Sequence, residues 1–270
     1  MTGGADDVSQ GAARRLLANG REDALVREEP LLLVIAGQQL LTMRTPGRDE
    51  DLALGFVLGE GIVGSPDEVR GTTQVPAADP SRDVDELRVD LAAAPAGAAK
   101  ARLARTHELR SSCGVCGVTD PAGILESTPP LLPGVPRVAA NRIPELVAEL
   151  QRRQVLFAAT GGCHGALVAN ADGAVVGFGE DVGRHNALDK AIGQAARTGA
   201  DLSRSVAVLS GRAGYDLVVK CLRVRLPIVV SVSAPSSLAF DLCAAAGATL
   251  LGFARDGRFV TYCGAERLAT

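Results

Sequence analysis

The chain has 270 residues, 47% hydrophobic and 22% charged, with 28 Lys and Arg against 31 Asp and Glu for a formal net charge of -3. That length gives one large domain or two small ones, and the ordinary apolar share excludes wholesale disorder. The faintly acidic balance excludes a general electrostatic grip on nucleic acid or on an anionic membrane, so any phosphate binding has to be local.

The N-terminus, MTGGADDVSQ, has neither the basic start nor the apolar core of a leader. No later apolar run approaches the ~20 residues of a membrane span, so a cytoplasmic location is expected. Residues 1 to about 22, rich in Gly, Ala and Asp without periodicity, read as a loose, disordered tail. Pro30 to Ala36 and Gln38 to Arg44, on either side of Gly37, predict two antiparallel strands. After Pro46-Gly47, Asp49, Glu50 and Asp51 supply an N-cap and an acidic first turn for a helix carrying Leu52, Phe56 and Leu58, closed by Gly59 and Gly61. Val84 to Leu91 alternates as a strand, and Ala92 to Ala104 is open between loop and helix. The Pro-rich stretch from Thr128 to Pro136 predicts a boundary between an N-terminal α+β part (23–127) and a C-terminal part (128–270).

Beyond it, Pro144 at a first helical position opens a helix with Leu146 and Leu150 on one face, and Val155 to Thr160 reads as an apolar strand. Ala166 to Ala169 and Ala174 to Phe178 flank the hairpin turn Asp172-Gly173. Helix His185–Arg197, strand 205–209, helix 212–223, strand 227–232, helix 236–245 and strand 249–253 then alternate. This is the pattern of an α/β fold with parallel βαβ units, whose ligands bind where strand carboxyl ends meet helix N-termini.

Three groups of residues carry chemistry. Six cysteines in a cytoplasmic chain read as thiols for chemistry or metal. The loop Ser111-Ser112-Cys113-Gly114-Val115-Cys116-Gly117 holds two of them as a CxxC whose Gly-flanked backbone N–H groups favour a thiolate. A sulfur-handling loop is the favoured reading. A zinc half-site would need a second pair, for which only Cys163-His164 is at hand, and a thioredoxin-like pair would need a strand leading into a helix.

The second group is Thr160 to His164 with Gly179-Glu180-Asp181-Val182-Gly183-Arg184-His185-Asn186, running on to Asp189-Lys190. A helix start explains part of it. His164, His185 and Lys190, one of only three lysines, are the candidates for acid/base or phosphate contacts. The third group is a set of strand ends: Ser210-Gly211-Arg212, Ser231 to Ser236 with Ser231 and Ser233 as donors, and Gly252 to Arg258. Hydroxyls, helix N-termini and Arg forks at one sheet edge suit a nucleotide-sized anion, against the plainer readings of N-caps and a hairpin turn.

The strings DEDLALGFVLGEGI (Asp49 to Ile62), SSCGVCG, TGGCH, GEDVGRHNALDK, SGRAGYDLVVK, SVSAPSSLA and GFAR together resemble the formate dehydrogenase accessory sulfurtransferase family of FdhD type, from about residue 30 to the C-terminus. The resemblance implies a sulfurtransferase. It would take sulfur from a cysteine desulfurase as a persulfide and pass it to the molybdenum bis(molybdopterin guanine dinucleotide) cofactor, its bound substrate, for the formate dehydrogenase catalytic subunit. It also implies a cytidine-deaminase-like, three-layer α/β/α C-terminal domain. By the same resemblance the persulfide falls on Cys113 with Cys116 as its partner, and the guanine nucleotide phosphates fall to the strand ends, including Phe253, Ala254, Arg255, Asp256, Gly257 and Arg258. No structural metal, nucleic acid or membrane partner is expected, and a homodimer is left open. Gly214 and Cys163 depart from the family pattern, where a hydroxyl residue and an aliphatic are common. Two rival functions are a zinc deaminase, whose His-x-Glu would have to precede the cysteines whereas His164 follows them and leads into Gly165-Ala166, and a chaperone that holds the cofactor without using either loop cysteine.

Overall fold

The computed structural model describes residues 10–79, 84–108 and 128–269. Its first elements correct the expected tail. From Ala12 onward the chain forms β1 (Ala12–Leu16) and β2 (Glu22–Val26), an antiparallel hairpin. Both strands are mostly exposed, so no apolar alternation betrays them; Asn19-Gly20, with Gly20 at φ 78, was the turn signal.

β3 (Glu29–Ile35) and β4 (Gln38–Arg44) pair across Ala36 and Gly37, both at positive φ, as the sequence predicts. In α1 (Asp49–Gly59) the cap is Arg48, in the left-handed region at φ 59, and not Asp49. β5 (Val69–Val75), absent from the sequence reading, adds to β6 (Asp85–Leu91), giving the sheet order β4-β3-β6-β5. The open Ala-rich stretch is helical, as α2 (Gly97–Glu108).

β7 (Val138–Ala139) precedes α3 (Arg142–Arg153), whose Ile143, Leu146, Val147 and Leu150 are buried. The strand expected at Val155 to Thr160 is instead the short helix α4 (Val155–Thr160). The cause is long-range: the Glu180 carboxylate accepts hydrogen bonds from the Leu156 and Phe157 N–H groups, both at 2.9 Å, and Gly161 at φ 67 ends the turn. A carboxylate 23 or 24 residues away caps this helix, which no local pattern announces.

The remainder runs β8 (His164–Asn170), β9 (Val175–Asp181), α5 (Arg184–Arg197), β10 (Ser205–Leu209), α6 (Tyr215–Arg223), β11 (Ile228–Ser231), α7 (Ser237–Ala246), β12 (Thr249–Arg255), β13 (Arg258–Cys263) and β14 (Leu268–Ala269). Strand order is β13-β12-β11-β10-β8-β9. Only β10, β11 and β12 are parallel; β8, β9 and β13 join antiparallel, so the predicted βαβ run holds for the centre of a mixed sheet. Alternation along the strands separates two faces. Leu167, Ala169, Val206, Val208, Ile228 and Val230 pack with α3, while Ala166, Val168, Ala207, Leu209 and Val229 share a core with residues of α5, α6 and α7.

That second core is continuous with Leu31, Leu33 and Ile35 of the first sheet through α1, which packs on α5. The two helices touch backbone to backbone: a Cβ on Gly55 would stand 1.8 Å from the Asp189 carbonyl oxygen, and one on Gly193 1.9 Å from that of Asp51. The Pro-rich stretch is not loose either. The buried Arg267 guanidinium donates to the carbonyls of Leu132 and Val135 at 2.9 and 3.1 Å.

Candidate functional site at the sheet edge

Cys113 and Cys116 lie outside the described residues. What the structure does give is the edge toward which β10, β11 and β12 point their carboxyl ends, where antiparallel β8 begins and β9 finishes. The loops there are stitched side by side. Val232 N–H donates to Leu209 O at 3.0 Å, Ser233 N–H to Gly211 O at 3.3 Å, and Phe253 N–H to Ser233 O at 3.0 Å. The three predicted strand ends are thus brought together, and so are the two histidine segments, since His164 pairs with Asp181 in the β8–β9 register.

Within that edge the hydroxyls serve the fold. Ser210 Oγ accepts from Gly165 N–H at 2.8 Å, and Ser236 Oγ caps α7 by accepting from Ala239 N–H at 3.2 Å. Buried Ser231 donates its proton to Ser233 O at 2.5 Å, which corrects the expectation that Ser231 donates to a ligand. Ser233 contributes its carbonyl to the stitching. Ala254 is in the core under α3. Asp256 and Gly257, at φ 53 and 74, are the two-residue turn between β12 and β13, so the plain hairpin reading of Arg255-Asp256-Gly257 holds.

The arginines are different. Arg212, Arg255 and Arg258 are exposed, and among the described residues none of the three makes an ion pair. Arg255 and Arg258 are direct cross-strand partners, which places two like charges on one face of the hairpin. Phe253 stands beside them in the left-handed region at φ 51, itself 39% exposed and with the Arg255 guanidinium 5.9 Å from its ring centroid.

The Gly179 to Lys190 string is mostly structural. Asp181, fully buried, accepts from Thr45 N–H at 3.0 Å, Gly183 N–H at 2.9 Å and Asn186 Nδ2 at 3.1 Å. Lys190 Nζ lies 2.8 Å from Asp181 Oδ2 and donates to the carbonyls of Thr45 at 2.8 Å and Glu180 at 3.3 Å. Three donors meet three acceptors, so the expected phosphate contact of Lys190 is corrected to a buried structural cation. Lys220 behaves likewise between Asp189 and Glu60, both at 2.9 Å. Burial pushes the Asp189 carboxyl up to about 6 despite Lys220, whereas Glu60, with Arg223 as a second cation, is held below its usual range in spite of burial.

What remains from that string is Arg184 with His185. His185 Nε2 meets Asp216 Oδ2 in a close contact, and Arg184 donates to the same oxygen at 2.9 Å. Burial works against the Asp216 anion, but the His185 hydrogen bond and the two neighbouring charges outweigh it and hold the carboxyl well below the usual range. Asp216 escaped the sequence reading; its signal was an acid two residues past Gly214. That glycine is explained here, since a Cβ on it would stand 2.4 Å from Asp216 Oδ1. His164 is exposed at the start of β8, and Cys163 is turned into the core.

Of the four cysteines in the described residues, three are held as thiols. Burial pushes Cys163 and Cys221 up to about 12, and Cys243 rises through its hydrogen bond with Cys263 and burial. Cys263 is lowered by that same hydrogen bond and is only half-buried. Alkylation with iodoacetamide at pH 8 followed by peptide mapping is therefore expected to label Cys263 at least about ten-fold faster than Cys163, Cys221 or Cys243, because the thiolate is the reacting form. Equal rates for the four would mean that burial does not protect them.

Two clefts elsewhere contain none of the predicted site residues. One of 640 Å³ is lined by Arg44, Arg48, Asp51 and Arg197 among others, and one of 270 Å³ by Leu58, Val63, Leu202 and Val224 among others. In the first, Arg48 and Arg197 are both paired with Asp51. No helix among the described residues is long and apolar enough to cross a membrane.

The family model described as FdhD/NarQ matches residues 26–269. A protein of Anaeromyxobacter dehalogenans named Sulfur carrier protein FdhD is 41% identical over 277 residues, covering 95% of this chain and 93% of its own. One of Streptomyces avermitilis with the same name is 40% identical over 259 residues, covering 92% and 90%. Among solved structures, that of a candidate formate dehydrogenase accessory protein from Desulfotalea psychrophila shares the fold, with a TM-score of 0.72 over 96% of this chain and 97% of that one at 24% identity.

Proposed function

The chain belongs to the FdhD/NarQ family, and from that premise we propose that it is a sulfur carrier acting through a persulfide on Cys113. The observation that carries this reading is the pairing of near full-length similarity to proteins named sulfur carriers with a Gly-flanked CxxC. The protonated state of Cys163, Cys221 and Cys243 supports it by removing three rival nucleophiles. In the loading step the Cys113 thiolate attacks the terminal sulfur of a persulfide on a cysteine desulfurase, forming Cys113–S–SH and releasing the donor's thiolate. Attack of Cys116 on Cys113 Sγ then frees hydrosulfide and leaves a Cys113–Cys116 disulfide, which a dithiol must reduce before the next round. The acceptor in this reading is the molybdenum bis(molybdopterin guanine dinucleotide) cofactor on its way to the formate dehydrogenase catalytic subunit, in the cytoplasm. Intact-protein mass spectrometry after incubation with a desulfurase and cysteine tests the loading step.

The cofactor's guanine nucleotide end is assigned to the β12–β13 hairpin. Two cross-strand guanidiniums without an ion pair among the described residues gain most from an anion between them, and the exposed Phe253 beside them offers a face to a base. The three layers around the mixed sheet support the cytidine-deaminase-like reading of the C-terminal part. A charge-assisted contact contributes roughly 1.5 to 3 kcal/mol, so Arg255→Ala is expected to weaken guanosine diphosphate binding by roughly 10- to 150-fold. Titration calorimetry reads this directly; equal affinity in the two proteins would move the nucleotide off this hairpin.

A further inference from the structure

We propose that the 270 Å³ cleft where the C-terminal ends of α1, α5 and α6 meet is a binding site for a short aliphatic carboxylate, held by the Arg223 guanidinium against an apolar wall. The inference is independent of the sulfur chemistry and of the nucleotide hairpin, neither of which uses a residue of this cleft.

The wall comes from the helix ends and the links that follow them. Leu58 of α1 and Ala196 of α5 stand beside Val63, Leu202 and Val224. All five belong to the main core or pack against it, so the cleft is lined by a margin of that core which no other element covers. Its backbone acceptors are already used. At the end of α1 the carbonyls of Phe56, Val57 and Leu58 accept from the N–H groups of Glu60, Ile62 and Gly61. At the end of α5 those of Ala195 and Ala196 accept from Ala200 and Gly199, and at the end of α6 those of Cys221 and Leu222 accept from Leu226 and Arg225.

A donor is what remains. The Arg223 side chain is only 8% exposed, and its Nη1 donates to Gly59 O at 3.2 Å and to Glu60 at 3.1 Å. Nε is buried without a partner, and among the described residues Nη2 has none either. The edge left over, Nε with Nη2, is the one that receives a carboxylate through two parallel bonds. A buried donor on a charged group is costly to leave unmet, so this wall calls for a ligand that brings an acceptor. The charge around it favours an anion. Lys220 and Arg223 are balanced by Glu60 and Asp189, whereas Arg225, exposed in the lining, has no ion pair among the described residues. Asp201, the one acid of the lining, is 61% exposed and accepts from the Ser203 N–H at 3.0 Å and hydroxyl at 2.6 Å. The volume lies just under the ~300 Å³ at which ordinary ligand pockets begin, which suits a tail of a few carbons.

The experiment is a methyl NMR titration of the full chain that follows Leu58, Val63, Leu202 and Val224. The probes are acetate, butyrate and hexanoate at constant ionic strength, with hexanamide as the uncharged match. Hexanoate is expected to shift all four residues and to bind about ten-fold or more tighter than hexanamide, because the charged fork replaces a neutral acceptor. Along the acid series each added methylene should tighten binding by up to about four-fold. Arg223→Met should weaken hexanoate binding by roughly 10- to 150-fold. Ala200→Leu narrows the same cleft without touching the guanidinium, and should also remove binding, so the proposal stays open to refutation if the Arg223 variant fails to fold. Equal affinity for hexanoate and hexanamide, or an affinity indifferent to chain length, overturns it. So does an unmoved spectrum at millimolar hexanoate, in which case a bound water suffices for Nε.

Discussion

Replacing Cys113 by Ala should abolish the mass increment of one sulfur atom after incubation with desulfurase and cysteine. It should also lower activation of formate dehydrogenase by about two orders of magnitude or more, as loss of the carrying nucleophile does, with Cys116 left in the loop as a thiol and not as the carrier. The described thiols give this result its meaning. Cys163, Cys221 and Cys243 are held protonated, so they are poor substitutes, and Cys263, the one lowered thiol, is the control. Cys263→Ala should load and activate as wild type does. If Cys113→Ala keeps both the adduct and the activation, the chain holds its cofactor without handling sulfur at this residue, and the chaperone alternative takes over.

Lys190→Met is expected to be the most damaging single change to stability. It removes the only cation paired, among the described residues, with the fully buried Asp181 and strands a carboxylate that ties the segment after β4 to the start of α5. Breaking such a pair from one side costs about 3 to 5 kcal/mol. In a chain of this size that lowers the melting temperature by roughly 6 to 20 °C. The double variant Lys190→Met with Asp181→Asn should recover part of the loss, because the stranded charge is gone. Guanosine diphosphate affinity of the folded K190M protein, measured well below its melting temperature, should match wild type. A selective loss of affinity with unchanged melting would instead return Lys190 to the ligand site.

The contrast between Lys190 and Arg255 explains how far the sequence could be read. Apolar alternation and turn residues marked five of the six strands of the second sheet, all but β13, together with its helices and the Asp172-Gly173 hairpin, because each of those signals is local. The short α4 failed for the opposite reason, its cap being Glu180 on another element, and the β1–β2 hairpin failed because its pairing is satisfied by backbone rather than by a buried face. At the site, the sequence correctly brought the strand ends and both histidine segments to one edge. It could not tell a polar side chain bound to the protein from one turned to solvent. Ser231, Asp181 and Lys190 are the first kind; Arg212, Arg255 and Arg258 are the second. Asp216 was invisible because its meaning depends on His185, 31 residues earlier.

The backbone contact between α1 and α5 also sets an order of events during synthesis. The bonds that seat α1 join Asp51 to Arg197 and Thr45 to Lys190, across 146 and 145 residues of chain. Translation at about 5 to 20 residues per second separates the two ends of those bonds by roughly 7 to 30 s. Throughout that interval Leu52, Ala53 and Val57 belong to a nascent segment whose partner helix does not yet exist. The first sheet therefore cannot complete its core on the ribosome by itself, and the side of α1 that meets α5 waits uncovered until residue 197 has been made.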